Sequence, residues 1–154
     1  MFLFQMEVYT DGSYRTDTGK AGYGVVIKYN DANETQQVIE LFGVVEPGMQ
    51  TNHHRAELYA TIVAIQYIQT HLVFDGMVSG SINPHHIRSD TVEIYCDSQF
   101  IINGINGHSK VSKNLDLFNQ LVSLNRPNYS WSKIPRCANK AANKLAKQAS
   151  RRYV

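Results

Sequence analysis

The alternation of apolar and polar side chains predicts five β-strands. Strand side chains point alternately to the two faces of a sheet. In the first strand, one face would carry Met6, Val8 and Thr10 and the other Glu7, Tyr9 and Asp11. Similar patterns occupy residues 21–29, 36–45, 92–97 and 129–134. Short polar loops join the first three segments, so we expect them to be antiparallel neighbours.

Apolar residues spaced three or four apart predict four helices. The first opens at Thr51 and Asn52, and its apolar positions cover more than one side: Ala56, Leu58, Ala60, Ile62, Val63, Ala64, Ile65, Tyr67 and Ile68. A helix of this kind is largely buried against a sheet. Shorter patterns follow in residues 100–105 and 111–124. The last helix begins at Pro135, a residue suited to a helix start.

The two helices nearest the carboxyl terminus each have one predicted apolar side. These sides comprise Leu115, Phe118, Leu121 and Val122 in one helix, and Ala138, Ala141, Ala142, Leu145, Ala146 and Ala149 in the other. Asn139 and Asn143 lie four residues apart and therefore share a face beside the apolar one. The lysines of the last helix are interpreted as its solvated side.

Residues 71–91 are predicted to form a long surface loop, with its variable part at about 72–91. The segment contains two glycines, three serines and Pro84, and a connection of this length is unusual inside a compact domain. His85 and His86 are a candidate metal pair, but neighbouring histidines in a loop are more often solvated, so we assign no chemistry to them.

Composition and charge set limits on the class of protein. A chain of 154 residues fits one domain over residues 1–154. The net charge of +2 is only mildly basic. Two cysteines are too few for a disulfide scaffold, which favours a reducing, intracellular and cytoplasmic setting. The apolar start is too short for a membrane span and lacks the basic flank of a signal peptide.

Two predicted strands end in an aspartate, and the long helix carries a glutamate near its start. Asp11 precedes Gly12, which would permit a turn, and Asp97 follows the strand that begins at residue 92. Taken alone, Asp11 is a turn cap, and Glu57 in the first helical turn is a residue favoured by the helix dipole. Because the pattern occurs on two strands, the turn-cap interpretation is weaker.

Four motifs taken together resemble ribonuclease H of type 1. They are Thr-Asp-Gly-Ser at 10–13, Arg-Ala-Glu-Leu at 55–58, Asp-Ser-Gln at 97–99 and the helix of residues 139–149. Gly-Tyr-Gly at 22–24 and Lys-Asn-Leu-Asp-Leu at 113–117 extend the resemblance over nearly the whole chain. It implies an α/β, ribonuclease-H-like fold, with a five-stranded mixed sheet of three antiparallel strands then two parallel ones, flanked by helices.

The resemblance also implies an endonuclease that hydrolyses the RNA strand of RNA–DNA hybrids with two Mg²⁺ ions, for which Mn²⁺ can substitute. Two ions roughly 3.5–4 Å apart stabilise both the attacking and the leaving oxygen, and such hard cations take oxygen ligands. By the family pattern Asp11 would bridge the ions, while Glu57 and Asp97 would each help to hold one. The fourth position, an aspartate in the family, is Asn143 in this chain.

The amide at this position leaves two functional interpretations open. An amide can offer a carbonyl oxygen of similar shape, but one lost charge at about 4 Å is worth on the order of 4 kcal/mol before screening. An active ribonuclease H with weaker metal binding is one interpretation. The alternative is a weakened or inactive domain that binds or tethers nucleic acid.

Two further departures concern the binding surface. The histidine-bearing loop that many family members carry before the last helix is replaced by residues 134–138, where Arg136 could contact a phosphate. The basic protrusion of many bacterial members is absent, which resembles the short archaeal and plant-type branch. Fewer phosphate contacts should give weaker binding with a gentler salt dependence.

Recognition of a hybrid would depend on shape and on the 2′-hydroxyl rather than on base sequence. The resemblance implies nucleic-acid contacts from Gly12, Ser13, Asn52, His53, Gln99, Arg136 and Asn139. The expected partner is therefore an RNA–DNA hybrid. No membrane and no obligate protein partner are expected, and the protein is expected to be a monomer.

Overall fold

The computed structural model describes residues 4–31, 33–46, 50–72 and 89–151. The elements are, in chain order, β1 (Phe4–Tyr14), β2 (Ala21–Asn30), β3 (Gln36–Val44), α1 (His53–Tyr67), β4 (Ser89–Cys96), α2 (Gln99–Ile105), α3 (Leu115–Leu124), β5 (Tyr129–Lys133) and α4 (Lys140–Ser150). A π-helical turn, Ile68–Leu72, extends α1, and a 3-10 turn, Arg136–Ala138, precedes α4.

The strands form one mixed sheet in the order β3-β2-β1-β4-β5. The pairs β1–β2 and β2–β3 are antiparallel, whereas β1–β4 and β4–β5 are parallel. The predicted fold class is therefore confirmed, including the change from antiparallel to parallel pairing. The parallel pairing has a direct consequence, because β1 and β4 run side by side and carry their aspartates toward the same end of the sheet.

Helices cover both faces of the sheet. The largest apolar cluster joins one face of β1 to α1 and α3 and includes Val8, Leu58 and Leu121. On the opposite face, Val26 packs against α4 through Ala142 and Leu145, with Tyr9 at the edge of this smaller cluster. As predicted, α1 is buried on more than one side. None of the described helices has the length and apolar character needed to cross a membrane.

Several predicted boundaries and faces are wrong. The first strand does not end at Asp11 but continues to Tyr14, paired with β2 throughout. Leu115 and Val122 are exposed rather than packed, because α3 begins at Leu115 and buries Leu117, Phe118 and Leu121 instead.

The last helix also differs from its prediction. It starts at Lys140 and not at Pro135, since Arg136–Ala138 form a separate 3-10 turn. Ala138 and Ala141, predicted to be on its apolar side, are exposed, whereas Ala142, Leu145, Ala146 and Ala149 are buried as predicted. The side chains of Lys140, Lys144 and Lys147 are exposed, in agreement with a solvated side.

Most of the predicted loop lies outside the described residues, as do His85, His86 and the first three residues of the chain. At its two ends, Leu72 belongs to the π-helical turn and residues 89–91 belong to β4. The fourth strand therefore begins earlier than its alternating pattern predicted.

Two glycines allow helices to lie directly on the sheet. A Cβ at Gly12 would be 2.4 Å from the carbonyl carbon of Ala56 in α1, and a Cβ at Gly24 would be 2.1 Å from the carbonyl oxygen of Ala142 in α4. Asp11 is the register partner of Gly24 in the β1–β2 pair. Gly12 is therefore a site of close approach between β1 and α1, and not the turn predicted from its sequence.

We expect Gly24→Ala to lower the free energy of unfolding by about 1–3 kcal/mol or more, since 1–3 kcal/mol is the usual cost of overpacking. The added methyl group would push against the backbone of α4, which cannot move without lifting the helix. Gly43→Ala is the matched control, since the nearest atoms to its Cβ would all belong to the side chain of Tyr23. Urea denaturation measures the free energy of unfolding of both variants. Equal decreases in the two variants would contradict this packing of α4 on the sheet.

Candidate active site

Asp11 lies on β1 at the centre of a small polar site between the sheet, α1 and α4. Its side chain is buried, with the residue only 3% exposed. The backbone N–H of Gly12 donates to Oδ1 at 3.0 Å, and Nδ2 of Asn143 donates to Oδ2 at 2.6 Å. Both carboxylate oxygens therefore accept a hydrogen bond, and the turn-cap interpretation of Asp11 is wrong because the residue lies within a strand.

Glu57 approaches Asp11 from α1. Asn52 caps this helix, with Oδ1 accepting from the N–H of Arg55 at 2.9 Å. Glu57 is consequently the fifth residue of the helix, and the first turn contains no acidic residue. The predicted placement in the first turn is wrong, and the helix dipole does not account for this glutamate. The residue is 7% exposed, and its backbone N–H lies directly over Gly12.

Asp97 completes a cluster of three carboxylates, which we call the carboxylate cluster: Asp11, Glu57 and Asp97. Asp97 follows the last residue of β4 directly, and its side chain is 12% exposed. One ligand atom from each residue lies within 4.8 Å of those of the other two. The parallel neighbours β1 and β4 and the helix α1 therefore bring together three residues that are far apart in the sequence.

Burial and mutual repulsion disfavour the charged forms of Asp11 and Glu57. Burial, together with the charges of Asp97 and Asp11, raises the pKa of Glu57 to about 8, although the Ser98 hydroxyl opposes the shift. Burial likewise raises the pKa of Asp11 to about 6, although the amide of Asn143 opposes the shift. A bound cation would remove this repulsion.

The donor set fits a hard divalent cation. Converging carboxylates supply the oxygen ligands that Mg²⁺ and Mn²⁺ take in proteins. Asn143 adds an amide whose Nδ2 faces Asp11. A half-turn of this amide about its last torsion would present the carbonyl oxygen instead, and the two orientations have nearly the same shape.

Asn139 and Asn143 share a face, as their spacing predicted, and both side chains donate to β1. Nδ2 of Asn139 donates to the carbonyl oxygen of Thr10 at 2.8 Å, which ties the start of α4 to β1. Asn139 is only 2% exposed. This burial favours a structural role over the predicted nucleic-acid contact, whereas Asn143 is partly exposed beside the cluster.

The other predicted contact residues surround the mouth of the site in different ways. Nε2 of His53 lies 3.4 Å from Oε1 of Glu57. Nε of Arg136 lies 3.6 Å from Oδ2 of Asp97, and the Arg136 side chain is 68% exposed. Gln99 is exposed, but its amide nitrogen Nε2 donates to Oδ1 of Asn103 on its own helix. Asn52 is exposed and serves as a helix cap.

Two predicted contacts come from the segment after Asp11. Ser13 is partly buried on β1, and Gly12 is fully buried beneath α1. A contact from Gly12 would therefore need a nucleic acid to reach backbone that α1 covers. The position of Gly12 is better explained by helix packing.

Sequence reasoning assigned no role to two residues at the site. Ser98 is buried, and its hydroxyl opposes the rise in the pKa of Glu57; its place between Asp97 and Gln99 was the available signal. Arg55 makes ion pairs with Glu46 and Asp116. Both Arg55 and Asp116 belong to motifs noted in the sequence, but sequence spacing gave no indication that they meet.

Comparison with known proteins gives a consistent result. The RNase H family matches the chain over residues 4–151. Ribonuclease H of Marinobacter nauticus is 29% identical, over 96% of this chain and 92% of that protein. The structure of LC11-RNase H1, isolated from compost by a metagenomic approach, is 27% identical with a TM-score of 0.71, over 95% of each chain.

A second structure is that of LC11-RNase H1 in complex with an RNA/DNA hybrid. It is 25% identical with a TM-score of 0.70, over 94% of this chain and 96% of that one. The family match spans every described strand and helix, together with the carboxylate cluster and Asn143. The chain therefore belongs to the ribonuclease H family.

Proposed function

We propose that this protein is an endoribonuclease that hydrolyses the RNA strand of RNA–DNA hybrids with two divalent ions, Mg²⁺ or Mn²⁺. The observation that carries the proposal is the carboxylate cluster, contributed by β1, α1 and the end of β4, whose ligand atoms lie within 4.8 Å of one another. Family membership and the hybrid bound by LC11-RNase H1 support the substrate class.

The family pattern suggests the roles of the cluster. Asp11 would help to hold both ions, while Glu57 and Asp97 would each help to hold one. Asn143 would contribute its carbonyl oxygen after the amide turns away from Asp11. When bound, the ions would activate a water molecule and stabilise the leaving 3′ oxygen.

The rim residues would bind and orient the hybrid. Arg136 has an exposed guanidinium beside Asp97, which is suited to a phosphate. His53, beside Glu57, and Gln99 and Ser13, each two residues from an aspartate of the cluster, would contact the sugar edge of the RNA strand. Because Asn139 and Gly12 are buried, we assign them roles in packing rather than contacts with the hybrid.

A monomer would suffice for this activity, because each carboxylate of the cluster comes from the same chain. Cys96 and Cys137 both have free thiols, as a reducing cytoplasm would maintain. Monomeric, cytoplasmic action is therefore part of the proposal.

Asn143 favours a second candidate function, in which the domain binds hybrids with little or no cleavage. Its Nδ2 donates to Oδ2 of Asp11 and so uses an oxygen that an ion would need. The cluster also lacks the fourth negative charge implied by the family pattern. The test of activity must therefore separate binding from turnover.

The proposed activity is tested with an RNA–DNA hybrid labelled on the RNA strand, with Mg²⁺ or Mn²⁺ and with chelator. We expect metal-dependent cleavage that falls more than about a hundredfold in Asp11→Asn, because several kcal/mol of charge stabilisation are lost. Glu40→Gln, on the exposed side of β3, is the charge-matched control. Hybrid binding without cleavage above the Asp11→Asn level would support the second candidate instead.

Asn143→Asp should lower the metal concentration needed for half-maximal cleavage. The change restores a fourth carboxylate beside Asp11 and removes the competing N–H donor. We expect a decrease of roughly tenfold, equivalent to about 1.4 kcal/mol. Asn30→Asp makes the same charge change at the opposite end of β2 and should leave the requirement unchanged. An equal metal requirement in the Asn143→Asp protein would exclude Asn143 from the metal site.

The stability of the metal-free protein should fall as the pH rises from 5 to 9. The folded-state pKa values of Asp11 and Glu57, about 6 and 8, lie above their ordinary values. The stability contributed by their neutral forms is therefore fully present below about pH 4, and it is lost as the pH rises through those pKa values. Each pKa unit of difference between the folded and unfolded states corresponds to about 1.4 kcal/mol.

Thermal unfolding in chelator at a series of pH values measures this dependence. Glu57→Gln is the matched control and should flatten the curve above pH 6, because it removes the group with the higher pKa. Mg²⁺ or Mn²⁺ should stabilise the unchanged protein more at pH 8 than at pH 5.5. A curve that Glu57→Gln leaves unaltered would contradict the assignment of the pH dependence to these buried carboxyl groups.

A further inference from the structure

Arg55 joins three separate segments of the chain next to the carboxylate cluster. Its Nε and Nη2 donate to the two carboxylate oxygens of Glu46, at 3.0 and 2.6 Å. Its Nη1 and Nη2 donate to the two oxygens of Asp116, at 2.9 and 2.7 Å. Its Nη1 also donates to Oδ1 of Asn114, at the longer distance of 3.4 Å. We call this set the Arg55 clamp: Arg55, Glu46, Asn114 and Asp116.

The Arg55–Glu46 pair of the clamp differs from an ordinary surface ion pair, which contributes little. The side chains of Arg55 and Glu46 are only 15% and 8% exposed, whereas that of Asp116 is 65% exposed. Both carboxylates are bound in the two-point geometry that a guanidinium allows and an ammonium does not. The relative positions of the three segments are therefore fixed in direction as well as in distance.

The backbone on both sides of the clamp adopts an unfavourable conformation. Among the described residues that are not glycine, only Glu34, Glu46 and Asn114 have positive φ angles. Two of them, Glu46 at 44° and Asn114 at 55°, belong to the clamp. Left-handed backbone at a residue other than glycine persists only where surrounding contacts hold it. The contacts of Arg55 are what these two positions share.

The clamp acts on the beginning of α1, which presents Glu57 to the cluster. Arg55 is two residues before Glu57, and its own N–H is bound by the helix cap Asn52. Repulsion within the cluster pushes Glu57 and the start of α1 away from Asp11 and Asp97. The Arg55 clamp opposes this displacement by attaching the helix start to the segment after β3 and to the start of α3.

We propose that Arg55 is a positioning residue, which holds the start of α1 so that Glu57 remains within reach of a divalent ion shared with Asp11 and Asp97. The inference rests on the proposed function, because it takes the carboxylate cluster as the metal site. Arg55 itself would touch neither ion nor substrate. It acts through the position of the helix.

The test is a calorimetric titration of the metal-free, full-length protein and its variants with Mn²⁺, which gives the Mn²⁺ dissociation constant of each. Arg55→Lys keeps the charge but loses the two-point contacts, and we expect it to weaken Mn²⁺ binding by about tenfold, the lower range for residues that support ligands. Asp116→Asn removes the charge of one ion pair and leaves the pair with Glu46 in place, so we expect a smaller weakening of Mn²⁺ binding. The metal requirement for hybrid cleavage should rise in the same order.

Loss of stability alone is excluded with Ile65→Ala. Ile65 is buried in the same helix, two turns beyond Glu57, so this variant weakens the packing of α1 and leaves its start attached. We expect it to lower the melting temperature and to leave the Mn²⁺ dissociation constant unchanged. Equal dissociation constants for Arg55→Lys and the unchanged protein would overturn the inference. So would equal weakening by Ile65→Ala and Arg55→Lys.

Amide hydrogen exchange separates failure of this inference from failure of the proposed function. Arg55→Lys should accelerate exchange across residues 53–58, relative to Ile65→Ala, whether or not metal is present. If the unchanged protein binds no Mn²⁺, the proposed function fails, and faster exchange at 53–58 would still support a clamp at the helix start. Unchanged exchange there would overturn the clamp as well.

Discussion

Repulsion among three clustered carboxylates, two of them buried, is the constraint on which this structure depends. Asp11, Glu57 and Asp97 place ligand atoms within 4.8 Å of one another, and burial makes the charged forms of Asp11 and Glu57 still less favourable. Without a cation such a cluster destabilises the fold, and the proposed ions would relieve the repulsion. The stability of the protein and its proposed chemistry are therefore coupled through the same three side chains.

The scaffold around the cluster counteracts this repulsion at several points. Gly12 lets the backbone of α1 lie directly on β1. Asn139 ties α4 to the carbonyl of Thr10, and the Arg55 clamp attaches the start of α1 to two other segments. Each of these contacts fixes an element that carries a ligand group, so packing and site geometry cannot be separated.

Much of the architecture and of the site could be predicted from the sequence. The alternating patterns indicated the strands, the family resemblance indicated the mixed sheet, and the motifs around Asp11, Glu57, Asp97 and Asn143 indicated the residues that meet. Prediction was less successful where a long-range contact determines the local structure. Gly12 was interpreted as a turn because local sequence does not reveal that a helix covers it. Exposure of Leu115 likewise depends on where α3 begins, and spacing alone did not fix that point.

The most direct test of the metal site is a crystal of the protein soaked in Mn²⁺, with anomalous scattering used to locate the metal. We expect anomalous density between Asp11, Glu57 and Asp97, in contact with Asp11, and an Asn143 amide turned so that its oxygen faces the density. Absence of density at this position under saturating Mn²⁺, with Nδ2 of Asn143 still bound to Asp11, would contradict the central claim that the cluster is a divalent metal site.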